Sequence, residues 1–398
     1  MNILYTITRC HPAIGGAEIH VRQIAHALSG RHSVSVVAHT DRQRVDPIRA
    51  CTTGAVRTDV FEDGPVRVHF LGVGRAARVL LAPAARLYHY PTTKPLGYRL
   101  YASLFAGHLE RYVRTHQIDL IHNVLVGTEY LSHLSCETAR RCGIPFVITP
   151  LVHEGIWGDG PFFFRIYRQA DAVIALLDVE RALYIRGGVD AARIHTVGVS
   201  PVIASQADPA FFRKKYGLSG PVILFVGRQV ESKGIPDLLA AAPRIWEHHP
   251  EATFVLIGPA EESSRLVYPS DSRLLNLGPV SDQEKADALS ACDMLCLPSR
   301  SEIMPTVILE AWSFGKPVIG GDIPALRELI EGAGGGVVVE PKPETIARAI
   351  LAFLDDKETG KRKGEAGRAR VAERYTSECI ADRLEKIYRA LCLERTGP

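Results

Sequence analysis

Short β-branched runs alternate along the first half of the chain with segments whose apolar residues recur every three or four positions. Ile3–Thr8 reads as a buried strand, and Val21, Ile24, Ala25 and Leu28 then fall at i, i+3, i+4 and i+7, one face of a helix. Val34–Ala38, Val66–Phe70, Leu120–Ile121, Phe146–Thr149 and Ala172–Ala175 continue the strand series. The second half restarts the rhythm with a fully apolar run, Pro221–Gly227, followed by Thr253–Ile257, Met294–Leu297 and Pro317–Ile319. Strands separated by helices predict parallel sheets covered on both faces. The fold class is therefore α/β, with two doubly wound domains over residues 1–200 and 201–375. Neither pattern holds at Pro201–Asp208, which is read as the join. Gly367–Leu393 is one long helical pattern with no strand after it, so residues 376–398 are assigned to a closing helix.

The length, 398 residues, suits two such domains, and a hydrophobic share of 46% with 23% charged residues is ordinary for folded protein. Eight scattered cysteines show no metal or disulfide spacing and read as small residues of a reducing compartment. No apolar run reaches the roughly 18 residues of a membrane span, and the N-terminus lacks a signal-peptide layout, so a cytoplasmic location is expected. Charge is uneven: residues 1–200 carry a net +6 and residues 201–398 a net −3. Gly64–Leu109 has no acidic residue but holds Arg67, Arg75, Arg78, Arg86, Lys94 and Arg99, with Tyr88, Tyr90, Tyr98, Tyr101 and Phe105 between them. A basic, aromatic-rich surface would suit an anionic acceptor or the peripheral face of an anionic membrane. A solvated helix that merely lacks acids is the plainer alternative.

Open parallel sheets bind ligands beyond the C-terminal ends of their strands. Two clusters stand there. Gly227-Arg228-Gln229-Val230-Glu231-Ser232-Lys233-Gly234 follows the apolar strand, and its two cations can converge on one diphosphate, Arg as a planar fork and Lys as a point charge. In Ser299–Ala311, Glu302 and Glu310 are separated by seven residues. Pro305 marks the expected first residue of a helix, whose free N–H groups would face phosphate oxygens. Glu302 then lies in the loop ahead of the helix and Glu310 within it, each able to hold sugar or ribose hydroxyls. The plain alternatives are a helix-start interaction for Glu302 and a surface position for Glu310.

These residues resemble the signatures of glycosyltransferase family 4, retaining enzymes of the GT-B fold. Glu302 and Glu310 match its Glu-x7-Glu motif; Gly227, Arg228, Lys233 and Gly234 match its Gly-Arg…Lys-Gly loop; Gly15, Gly16 and Glu18 match its N-terminal Gly-Gly-x-Glu. The resemblance spans essentially the whole chain, including Leu277-Gly278-Pro279-Val280. It implies two Rossmann-like domains facing a central cleft, an N-terminal acceptor domain, a C-terminal donor domain and a final helix crossing back to the first. It implies transfer of a sugar from a nucleoside diphosphate sugar, with UDP preferred over GDP, to a glycan, glycolipid or small-molecule acceptor. Glu302, His153, Arg228 and Lys233 would be catalytic. Gly15, Gly16, Gly227, Gly258, Val280, Ile303, Met304, Pro305, Thr306, Val307 and Glu310 would join Arg228, Lys233 and Glu302 around the donor. No Asp-x-Asp is present, so no catalytic metal and no other cofactor is expected. The family's Gly-aromatic after the first Glu is replaced by Ile303-Met304, which bears on donor choice if that position requires positive φ.

Competing assignments fit less well. Gly72-Val73-Gly74-Arg75-Ala76-Ala77 has a dinucleotide-binding pattern, but Pro83 is expected to interrupt the next helix, and no acid follows at the ribose-binding distance. A non-catalytic nucleotide-sugar binder, or an isomerase or phosphorylase of the same fold, is consistent with the donor residues alone. Nothing points to nucleic acid.

Overall fold

The computed structural model describes all residues except 14, 43–45, 126–127, 156, 205, 262–265 and 397–398, with the backbone alone at Thr396. Ser205 of the expected join and the end of the 376–398 segment thus lie outside the described residues. The chain divides into two compact units, Met1–Gly198 with Ser377–Pro398, and Val199–Thr376.

The first unit is built on eight strands: β1 Asn2–Thr6, β2 Ser33–Ala38, β3 Val60–Asp63, β4 Val66–Phe70, β5 Leu120–Val124, β6 Phe146–Thr149, β7 Ala172–Ala175 and β8 Ile194–Thr196. They lie in the order β3-β4-β2-β1-β5-β6-β7-β8. All neighbours are parallel except the β3–β4 hairpin. The central strands are buried on both faces, as parallel sheets under helices must be. The Ser377–Thr396 helix belongs to this unit. Ile380, Ala381, Leu384 and Tyr388 are buried, and the Tyr388 hydroxyl meets Tyr5 Oη at 2.8 Å and His122 Nδ1 at 2.5 Å.

The second unit has six parallel strands: β9 Val222–Val226, β10 Thr253–Ile257, β11 Leu274–Gly278, β12 Met294–Leu297, β13 Val318–Gly321 and β14 Gly336–Val339. Their order is β11-β10-β9-β12-β13-β14. The chain winds outward from β9 through β10 to β11, then returns to place β12 on the other side of β9. The β9/β12 boundary is therefore a topological switch point, the place where open parallel sheets take ligands.

Several sequence expectations are corrected. The tail pattern is two helices, Lys357–Arg374 and Ser377–Thr396, broken at Tyr375–Thr376 where the chain leaves the second unit. Pro83 does not interrupt its helix, which runs Arg75–Tyr88; the proline is exposed, so water can take the carbonyl it frees. The aromatics of the acid-free stretch do not form a surface. Tyr98, Tyr101 and Phe105 are core residues, Tyr88 is half-buried, and Tyr90 is the exposed one. No described helix is long and apolar enough to cross a membrane.

Candidate active site

The loop after β9 is held by its neighbours rather than by its own residues. Gly227 N–H donates to Ile257 O at 2.9 Å and Gln229 N–H to Pro259 O at 2.8 Å, extending the β9–β10 pairing past the strand ends. Gln229 is fully buried: its amide donates to Gly258 O (2.9 Å) and Asn276 Oδ1 (2.7 Å) and accepts from the Tyr268 hydroxyl (2.5 Å). At Gly258, φ is +128°, and a Cβ would stand 2.0 Å from Gly227 O, so no other residue fits without moving the loop. Gly234, at φ +73°, closes the loop; a Cβ there would lie 2.1 Å from Pro298 O in the loop after β12.

Those two loops, one on each side of the switch point, are stitched together. Arg300 N–H donates to Ser232 O at 2.8 Å. Lys233 Nζ donates to Ser301 O at 3.1 Å and to Glu302 Oε1 at 2.6 Å, with both side chains close to nine-tenths buried. A largely desolvated ion pair of this kind attracts strongly, but its charges keep unused hydrogen-bonding capacity. Arg228 points outward by comparison, 63% exposed, and pairs with Glu261 at 2.6 Å.

The Thr306–Ser313 helix begins one residue later than its proline suggested. Pro305 is the N-cap, at ψ 113°, and its carbonyl accepts from Ile308 N–H at 3.1 Å. No side chain caps this N-terminus. Ile303, Thr306 and Val307 are half-buried beside it and Met304 is buried. Among the described residues positive φ outside glycine occurs at Gln117 and Leu151, so Ile303 occupies ordinary backbone space. Glu310 is not a surface residue: it is 3% exposed, and its carboxylate lies 3.1 Å from Lys285 Nζ on the Asp282–Ala291 helix. Burial raises its pKa, against the opposing pull of Lys285 and of a backbone hydrogen bond from Val202. Val280 is half-buried in the loop between β11 and that helix.

The structure thus joins Lys233 to Glu302 directly, while Arg228 and Glu310 find separate partners. Glu261, Lys285 and Gln229 escaped the sequence reading. Gln229 and Glu261 have no motif spacing, and Lys285 sits in a helix whose polar pattern reads as plain surface. Among the described residues no group of three or more His, Cys, Asp and Glu is arranged to hold a metal ion.

Gly15, Gly16 and His153 belong to the first unit. Gly15 is the N-cap of the Gly16–Ser29 helix, following β1 at that sheet's own switch point, between β1 and β5. Glu18, in its first turn, is buried and accepts from Arg9 Nε at 2.5 Å. His153 lies in the loop after β6, where its backbone exchanges two hydrogen bonds with Trp157 (2.9 and 2.8 Å). Two residues earlier Leu151 has φ +52°, an uncommon conformation for a branched residue and one that collects at functional loops.

Two family models match the chain. One, described as glycosyl transferases group 1, matches residues 208–370, and the other, a glycosyl transferase 4-like domain, matches residues 15–199. The chain is 29% identical to an alpha-D-kanosaminyltransferase of Streptomyces kanamyceticus over 57% of its own length and 62% of that protein. It is 29% identical to a phosphatidyl-myo-inositol mannosyltransferase of Mycolicibacterium smegmatis over 94% of its own length and 90% of that protein. The Anabaena protein HepE, solved in complex with UDP and glucose, superposes with a TM-score of 0.70 over 98% of this chain and 100% of that one, at 18% identity. That likeness is one of fold, and the fold is GT-B. With both units matched, the chain belongs to the glycosyltransferases of the family 4 type.

Proposed function

We propose that this glycosyltransferase moves a hexose from a nucleoside diphosphate sugar to an acceptor with retention of configuration and without a catalytic metal. The observation that supports it most is the contact between Lys233 and Glu302 across the β9/β12 switch point. Glu302 would hold the donor sugar's hydroxyls near the reacting carbon. Lys233 and Arg228, with the uncapped N–H groups at Thr306 and Val307, would neutralise the diphosphate as negative charge develops on it. Glu310, kept in reach of Lys285, would bind ribose. Val280 and Gly258 would line the nucleotide's path. In the transfer, the bond from the sugar carbon to the phosphate oxygen breaks. A new bond forms to the acceptor oxygen on the same face, and the acceptor's proton passes to the departing phosphate.

Uridine is the preferred base, in keeping with the nucleotide bound to HepE, and guanosine the alternative. The acceptor is a glycan, a glycolipid or a small molecule. The lipid-linked name of the mycobacterial relative favours a glycolipid acceptor met at the cytoplasmic membrane face. Exposed Val79, Leu80, Tyr90 and Leu96, with Arg75, Arg86 and Arg99, would give the first unit a mixed apolar and basic surface for that contact.

A thermal-shift panel of UDP, GDP and ADP, each with and without its sugar, is expected to show a rise in melting temperature for one base. Product anomers read by NMR test retention, and unchanged turnover in a chelator tests metal independence. Glu302→Ala is expected to abolish transfer; full activity in that variant would refute the assignment.

A further inference from the structure

One concentration of charge in the first unit has no part in this chemistry. Beyond the ends of β2 and β4 lies a cavity of about 610 Å³ whose lining includes Arg42, Arg49, Arg57 and Arg78. Asp46 is the one carboxylate among the described lining residues. Its position, past the C-terminal edge of a parallel sheet, is where such sheets take ligands.

The four arginines are not equivalent. Arg57 stacks on Phe70 at 3.9 Å and is neutralised: its fork meets Asp59 at 2.9 and 2.7 Å, and it also bonds Asp41. Arg42, Arg49 and Arg78 have no carboxylate partner among the described residues. Asp46 commits one oxygen to the backbone N–H of Arg49 at 2.8 Å, capping the Pro47–Cys51 helix. Arg78 lines the cavity half-buried. The hydroxyls of Thr40 and Thr53 line the same space. Several planar forks and hydroxyls around one void match the tetrahedral oxygens of a phosphate.

We propose that this cavity is a phosphate-binding subsite that holds a phosphate monoester or diester carried by the acceptor. Naming the ligand as the acceptor rests on the transferase reading; the anion site itself stands on the cavity alone. The phosphate belongs either to a phospholipid headgroup or to a soluble phosphorylated sugar or polyol. Val79 and Leu80, 73% and 62% exposed, adjoin Arg78 on the same helix and offer acyl chains a surface beside the site.

The test uses the full chain saturated with UDP, so that the second unit's cations are occupied. Inorganic phosphate and glycerol 3-phosphate are titrated by calorimetry, and vesicles of phosphatidylcholine with or without phosphatidylinositol are used in co-sedimentation. Arg42 and Arg49 are exposed, so Arg42→Gln/Arg49→Gln is expected to fold normally. It should lose about tenfold or more in affinity for the soluble esters or for the phosphatidylinositol vesicles. Arg111→Gln/Arg168→Gln, of equal charge change on exposed positions outside the cavity lining and outside the proposed membrane surface, should bind as wild type. Loss confined to glycerol 3-phosphate identifies a soluble acceptor, and loss confined to vesicles a lipid one; either supports the subsite. Equal affinity in wild type and the Arg42/Arg49 variant, or equal losses in both double variants, overturns it. An absent response to UDP indicts the donor reading alone, because the phosphate titrations are still interpretable without it.

Discussion

At the scale of single residues, the Lys233–Glu302 contact places opposite duties in one hydrogen bond. An ammonium has three donors; Lys233 spends two on Ser301 O and Glu302, which leaves one for phosphate. Glu302→Gln preserves the shape but removes the charge. It is expected to fold and to lower kcat by about 10²–10³, a loss typical of removing one transition-state contact. Glu310 makes a different prediction. Its pKa is raised by burial, so its contribution to stability is present below the unfolded-state value and is lost as pH rises through the folded one. Glu310→Gln should therefore match or exceed the wild-type Tm at pH 7 while raising the donor KM by roughly tenfold or more, since bonds to charged groups are worth ~1.5–3 kcal/mol. Calorimetry and initial rates on one preparation check both halves. The two glutamates and Lys233 were legible because motif spacing survives in sequence. Lys285 and Glu261 were not, because each meets its partner from an element 25 or 33 residues away.

At the scale of elements, what matters is where loops leave the sheet. Beside β9 the backbone of the following loop lies against Gly258 and Gly234 with no room for a side chain. Gly258→Ala is expected to cost about 2–4 kcal/mol, combining an unfavourable φ with a clash against backbone, and to weaken nucleotide binding in parallel. Denaturant titration with and without UDP separates the two effects. The strands legible in sequence are those buried on both faces, such as β9 and β10, where every residue is apolar or small. β3, β8, β11 and β14 were missed. They are edge strands, largely half-buried or exposed, and a one-sided or interrupted apolar pattern looks like loop. The aromatics of the basic stretch were misread for a related reason: Tyr98, Tyr101 and Phe105 recur at helical spacing, which fits a buried face as well as an exposed one.

At the scale of the whole molecule, acid should strike the first unit. His20, His39, His122 and His133 are all buried there, and desolvation lowers their pKa values to about 4, 4, 3 and 3. Held neutral in the folded state, each stabilises above its ordinary value of 6.5, and that stability is lost as pH falls toward the depressed value. At pH 5 the loss is up to about 2 kcal/mol for each group. A pH series of thermal melts with hydrogen-exchange readout is expected to show Met1–Gly198 protection failing before that of Val199–Thr376. Equal loss in both would sink the attribution. The fold class was legible from strand rhythm alone. The partition of the tail, with its closing helix joined to the first core, was implied by the family resemblance, because helical periodicity by itself does not say which core a helix joins.

That partition governs how the protein is made. The first sheet's Tyr5 and His122 wait for Tyr388, and the second unit is threaded into the chain between them. At ~5–20 residues per second, a nascent chain holds the first unit unfinished for roughly 10–40 s while the second emerges. A stop codon late in the reading frame, upstream of Ser377, would therefore damage the domain encoded first.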